Sequence, residues 1–145
     1  MRKATMSLLV VLALWGATSW HPPQQLPQWR VVQSVILTHQ TAPIPPTTIF
    51  TPEKAGVYRT TAYMSATAKQ RQSNTSWSFA FECVAGVGQS CSSYMTVQDG
   101  QQVATIPSYA FSPQVGLPVA YYVQASDPPP IESTYKLVLT IEQLQ

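Results

Sequence analysis

From Trp29 onward the chain alternates apolar and polar residues with a period of two, the mark of an extended backbone whose successive side chains point to opposite faces. The alternation is sharpest from Ser76 to Cys83, where Trp77, Phe79, Phe81 and Cys83 point one way and Ser76, Ser78, Ala80 and Glu82 the other. A slip of one residue would turn the three aromatics into water, so the register of this strand is firmly specified. Gly56 to Ala68 repeats the pattern, with Tyr58, Ala62, Met64 and Ala66 against Arg59, Thr61, Tyr63 and Ser65. Thr134 to Leu144 sets Tyr135, Leu137, Leu139 and Ile141 against Lys136, Val138, Thr140 and Glu142. Trp29 to Thr38 differs: Val31, Val35 and Leu37 share one face, but Val32 and Ile36 make the other face apolar too. A strand with two apolar faces is expected to be buried or to lie at an interface.

Shorter strands are predicted at Thr47–Phe50, Ser92–Gln98, Gln101–Ile106 and Pro118–Ala125. His39 to Pro46 reads as a loop, because Pro43, Pro45 and Pro46 each remove a donor from any ladder. Pro52 to Gly56 is a turn, Lys69 to Asn74 a polar connection, Asp99-Gly100 a hairpin turn, and Asp127 with Pro128 to Pro130 a break before the last strand. About eight short strands at even spacing, with no amphipathic helix to cover a sheet, predict an all-β fold: a two-sheet antiparallel sandwich of jelly-roll type.

The first residues follow another logic. Arg2 and Lys3 precede the apolar run Ser7 to Trp15 and the small residues Gly16 to Ser19, which is the layout of a secretory signal peptide. The run is roughly half of the ~20 residues that span a bilayer, and Pro22 and Pro23 end it, so no membrane span is expected in the mature chain. The expected organisation is a signal peptide over residues 1–19, a flexible Pro/Gln-rich arm over 20–28, and one β-domain over 29–145, secreted or held in the periplasm or at the cell surface.

Removing the leader changes the charge. The formal +2 of the whole chain includes Arg2 and Lys3. Without them Arg30, Lys54, Arg59, Lys69, Arg71 and Lys136 balance Glu53, Glu82, Asp99, Asp127, Glu132 and Glu142. A nucleic-acid binder carries a concentrated basic field, and this chain has none beyond Lys69 and Arg71. The cysteines, Cys83 and Cys91, bracket a short glycine-containing segment and are expected to pair across a hairpin loop in an oxidising compartment. The alternative, half of a metal site, lacks partners: His21 and His39 are far along the chain, and two thiolates do not hold zinc. Neither metal nor cofactor is expected.

Catalysis is not expected either. There is no Gly-x-Ser-x-Gly elbow, and a nucleophile would have to recruit His21 or His39. The carboxylates fall in turns or, for Glu82 and Glu142, on outward strand faces, unlike the facing pair of a glycosidase. Gly86-Val87-Gly88 resembles a phosphate loop but no helix follows it, so it reads as a turn. Aromatic residues are the chemistry left over. Trp77, Phe79, Phe81 and Tyr58 read as core. Tyr94, Tyr109, Tyr121 and Tyr122 are the candidate ligand or interface surface, and of the adjacent pair Tyr121-Tyr122 at least one must leave the core unless an oligomer covers it.

The stretch Phe50-Thr51-Pro52-Glu53-Lys54-Ala55-Gly56-Val57-Tyr58-Arg59, continuing through Tyr63 and Met64, resembles the strand opening of jelly-roll heads related to tumour necrosis factor and complement C1q, as found also in compact phage-tail and bacterial surface modules. Tyr135 to Leu144 is similar to their closing strand, which pairs beside the first. The resemblance implies a jelly roll that trimerises through aromatic and aliphatic faces and meets partners through surface loops. The expected function is therefore a non-enzymatic exported structural, adhesive or assembly module, self-associating as a homotrimer and meeting a cell-surface glycan or protein. The alternative is a monomeric carbohydrate-binding domain that uses exposed tyrosines.

Overall fold

The computed structural model describes residues 26–68, 76–98, 103–126 and 133–145. Its strands are β1 (Trp29–Gln40), β2 (Ile44–Phe50), β3 (Tyr58–Ala68), β4 (Ser76–Val84), β5 (Ser90–Gln98), β6 (Ala104–Phe111), β7 (Val119–Ala125) and β8 (Ser133–Leu144). They form two four-stranded sheets, β1-β8-β3-β6 and β2-β7-β4-β5, in which every pair is antiparallel. The pairs β1–β8, β2–β7, β3–β6 and β4–β5 are those of one long hairpin with β4–β5 at its tip. Rolling that hairpin up brings β3 beside β8 and β4 beside β7, which completes a jelly roll.

The inward residues of the two sheets meet in one core. Trp77, Phe79 and Phe81 of β4, Met64 of β3, Val119 and Val123 of β7, and Leu137, Leu139 and Ile141 of β8 are sealed from solvent. The expected inward sets of β3, β4 and β8 are the observed ones, because alternation on a half-buried strand leaves one low-energy register. The polar tips of the large core side chains Tyr58, Tyr135 and Trp77 find partners inside the protein. Tyr58 donates to the carbonyl of Lys54 at 3.1 Å, Tyr135 to that of Ala42 at 2.9 Å, and the Trp77 indole N–H to Ser133 Oγ at 3.1 Å. The phrase Phe50 to Tyr58 works through this packing: the Tyr58 ring lies between Phe50 and Phe111, with centroids 5.4 and 5.8 Å away. Gly56 does not have a positive φ; a Cβ at this position would stand 3.1 Å from the end of the Gln143 side chain, which would have to shift by a few tenths of an ångström to admit it.

Three expectations change. Residues His39 to Pro46 are not simply a loop: β1 runs to Gln40 and β2 begins at Ile44, taking in Pro45 and Pro46. β2 is an edge strand whose pairing skips between Ile44 and Thr47, so the prolines leave no partner carbonyl unserved. β6 likewise continues past Ile106 to Phe111, through Pro107, at the edge of the other sheet and beside a register shift. The Asp99-Gly100 signal does not make a β5–β6 hairpin, since those strands belong to opposite sheets, and the dipeptide itself lies outside the described residues. The first strand begins at Trp29, and just before it Gln28 and Gln145 exchange backbone hydrogen bonds of 2.9 Å in both directions.

The expected signal peptide, Lys69 to Asn74 and Pro128 to Pro130 also fall outside the described residues. Among those described, no helix is long and apolar enough to cross a membrane.

Candidate functional site

The rolled hairpin leaves two broad outer faces, one per sheet. On the β1-β8-β3-β6 sheet the outward rows follow from the register. Ile36 stands opposite Val138, which stands opposite Tyr63, so three apolar side chains cross three strands in one line. Ile36 is 67% exposed and Tyr63 37%. Not one of the twelve residues of β1 is buried, although Val35 and Leu37 lean on the core. Val31 does not join them on the inner face. A register shift between Val31 and Gln33 places Val31 opposite Glu142 on the outside, where it is 62% exposed.

At the start of β1 a charged pair anchors this face. Arg59 of β3 stands directly opposite Glu142 of β8 and holds its carboxylate through both Nε and Nη2, the latter at 3.0 Å. Its guanidinium carbon also lies 4.5 Å from the centroid of the Trp29 ring, tying the first residue of β1 to the sheet. The hydrogen bond from Arg59 holds the Glu142 carboxyl below its ordinary range against some desolvation, and the same bond raises the Arg59 guanidinium.

The β2-β7-β4-β5 sheet presents different chemistry. Ala80 of β4 stands opposite Tyr94 of β5 on one side and Tyr122 of β7 on the other, so two phenol rings flank a methyl group on the outer face. Tyr94 is 81% exposed. The Tyr122 phenol is pushed up by desolvation and by its hydrogen bond to Glu82. In the row beside them Ser78 and Thr96 share a hydrogen bond of 3.0 Å. The other two candidate tyrosines are not on this surface. Tyr121 is buried, its ring 6.4 Å from that of Phe79, and burial pushes its phenol up. Tyr109 is half-buried, stacked at 6.3 Å on Phe111 and edge-on to Phe81. Strand alternation therefore divides the Tyr121-Tyr122 pair between core and surface, as two adjacent residues on one strand must be.

Cys83 and Cys91 form a disulfide with Cα atoms 5.0 Å apart, each buried and directly opposite the other in the β4–β5 ladder. The loop they enclose is closed by a hydrogen bond of 2.6 Å from Ala85 N–H to the Gln89 carbonyl and turns at Gly88, whose φ of 74° suits glycine. Beside it, on the outer face, Glu82, Ser90, Ser92, Pro118 and Ala120 line a shallow depression of about 430 Å³. The second apolar face of β1 is visible in the sequence, but the cluster Trp29–Arg59–Glu142 and the row that joins Ile36 to Val138 and Tyr63 are not, since both need the β1–β8–β3 order to bring distant residues together. No family model matches the chain, and no curated protein matches it.

Proposed function

We propose that the chain is a non-enzymatic, exported structural and assembly module that associates with further copies of itself through the outer face of the β1-β8-β3-β6 sheet, as a homotrimer of the kind its likeness to tumour-necrosis-factor and C1q heads implies. The observation that carries this reading is β1. A strand of twelve residues that exposes Val31, Val32 and Ile36 and buries none of its own side chains is energetically incomplete in the isolated subunit. Covering a fully exposed aliphatic side chain is worth about 1.5–3 kcal/mol, and these partly exposed residues return a share of that each, which they contribute together, on both copies, against the cost of association.

The occupant is a second copy because the face is self-compatible. The Ile36–Val138–Tyr63 row is itself uncharged and Arg59 and Glu142 farther along the sheet neutralise each other, which leaves Lys136, exposed two residues from Val138 on β8, as the one outward cation of β8 that two meeting faces must keep in water at the rim. The Cys83–Cys91 disulfide is compatible with an oxidising extracellular or periplasmic location, in keeping with the signal-like leader.

Sedimentation equilibrium of the mature, oxidised protein at micromolar concentration tests the proposal. A trimer is expected, and Ile36→Asp is expected to dissociate it while leaving the far-ultraviolet circular dichroism unchanged. A monomer at the highest soluble concentration would overturn it, and so would an oligomer indifferent to Ile36→Asp and Val31→Asp.

A further inference from the structure

The face opposite the assembly surface has no part in that reading, yet its composition is unusual for an idle sheet. Among the outward residues of β4, β5 and β7, Glu82 is the only one with a formal charge, and the rest are serine, threonine, glutamine, small aliphatic residues and the two tyrosines. Tyr94 and Tyr122 stand two strand spacings apart, about 10 Å, with the Ala80 methyl between them. We infer that this face is a binding platform for a neutral, extended oligosaccharide, which lies across the strands along Tyr94–Ala80–Tyr122.

The argument rests on matching chemistry. One face of a pyranose ring is made of C–H groups with slight positive charge, and it settles on the electron-rich face of an aromatic ring. Its edge carries hydroxyls that need donors and acceptors. Two rings separated by a small side chain leave a slot rather than a ridge, so neighbouring sugar units can rest on both. Above the slot, Glu82 accepts from the Tyr122 hydroxyl and keeps acceptor capacity for a sugar hydroxyl. Below it, Ser78 and Thr96 hold each other in place and offer further hydrogen-bonding atoms. The depression lined by Glu82, Ser90 and Pro118 runs alongside the Tyr94–Ala80–Tyr122 line, beginning one row over, and gives groups projecting from that edge of the sugar chain a recess.

Competing occupants fit less well. A polyanion would meet the Glu82 carboxylate and no outward cation on these three strands. A protein interface would require a desolvated apolar centre, and here the two rings and the Ala80 methyl lie among serine, threonine and glutamine side chains, with Val84 and Ala120 set beside Glu82. The platform lies on the other sheet from Ile36, so glycan binding and self-association are separable and can fail independently.

The test is isothermal titration calorimetry of the oxidised protein with cellohexaose, xylohexaose, mannohexaose and chitohexaose, backed by saturation-transfer NMR for each sugar and with a heparin hexasaccharide as the anionic comparison. At least one neutral sugar is expected to bind. Removing a ring by Tyr94→Ala or Tyr122→Ala is expected to weaken that binding about tenfold or more, the scale seen when aromatic stacking platforms lose a ring. Tyr122→Phe should retain most of the affinity, and Ile36→Asp on the opposite sheet should leave it unchanged. Thermal unfolding establishes that each variant is folded. Silence of all four neutral sugars by both methods would overturn the inference, as would binding that survives loss of both rings, or binding of the heparin fragment alone.

Discussion

Thr60 is a fully buried polar residue on the inner face of β3, and its Oγ1 has no hydrogen-bond partner. An unserved buried hydroxyl forfeits its hydration without recompense, whereas valine has the same shape and no such need. Thr60→Val is therefore expected to stabilise the fold by about 1 kcal/mol, read as a higher urea midpoint with an unchanged slope. Tyr135 carries the opposite lesson. Burial, with a smaller contribution from the neighbouring Tyr121, pushes its phenol from 10.0 up to about 12. The hydrogen bond to Ala42 requires the proton to stay.

Because the folded-state value is raised, the neutral phenol's contribution is complete below pH 10.0 and is lost as pH rises toward about 12. A spectrophotometric titration is expected to show Tyr135 ionising last among the tyrosines, with stability falling across that same window. In Tyr135→Phe the late phenolate step should vanish.

At the scale of elements, β4 and β8 behave as their alternation demands, and β1 does not. Its residues alternate well enough to be read as a strand, but the register shift after Val31 turns one apolar side chain from the inner to the outer face. A shift of that kind depends on what the partner strand offers, and β8 lies a hundred residues away on the order of sequence distance that no local pattern reports. The β4–β5 hairpin is the most local unit in the fold. Its disulfide joins residues 8 positions apart, so it constrains the unfolded chain modestly. Cys83→Ala with Cys91→Ala is expected to cost about 2 kcal/mol and to lower the thermal midpoint while leaving the strand content intact. A larger loss, or unfolding, would mean that the tip of the rolled hairpin organises the rest.

For the molecule as a whole, the stability of the subunit and the state of assembly are one question. If β1 is completed by other copies, the thermal midpoint rises with protein concentration, and Ile36→Asp removes that dependence. The jelly-roll order also explains why the two outer faces differ. β1, β8 and β3 collect Val31, Ile36, Val138 and Tyr63 on one side, with Lys136 and the Arg59–Glu142 pair, while β4, β5 and β7 collect hydroxyls, amides and Tyr94 with Tyr122 on the other. Nothing in a single strand foretells that sorting.

What the sequence determined by itself was whatever depends on neighbours along the chain: the all-β class, the inward sets of β3, β4 and β8, the pairing of Cys83 with Cys91, and the rule that Tyr121 and Tyr122 cannot share a face. Alternation has a period of two and a buried side has a free-energy sign, so these are local decisions. Tertiary structure alone decided which two of the four tyrosines are surface, that Pro45, Pro46 and Pro107 could sit in strands, and that β5 and β6 belong to opposite sheets. Each of those depends on whether a strand is an edge and on which distant strand lies beside it, and a donor that would be missed in a central strand costs nothing where no partner is waiting.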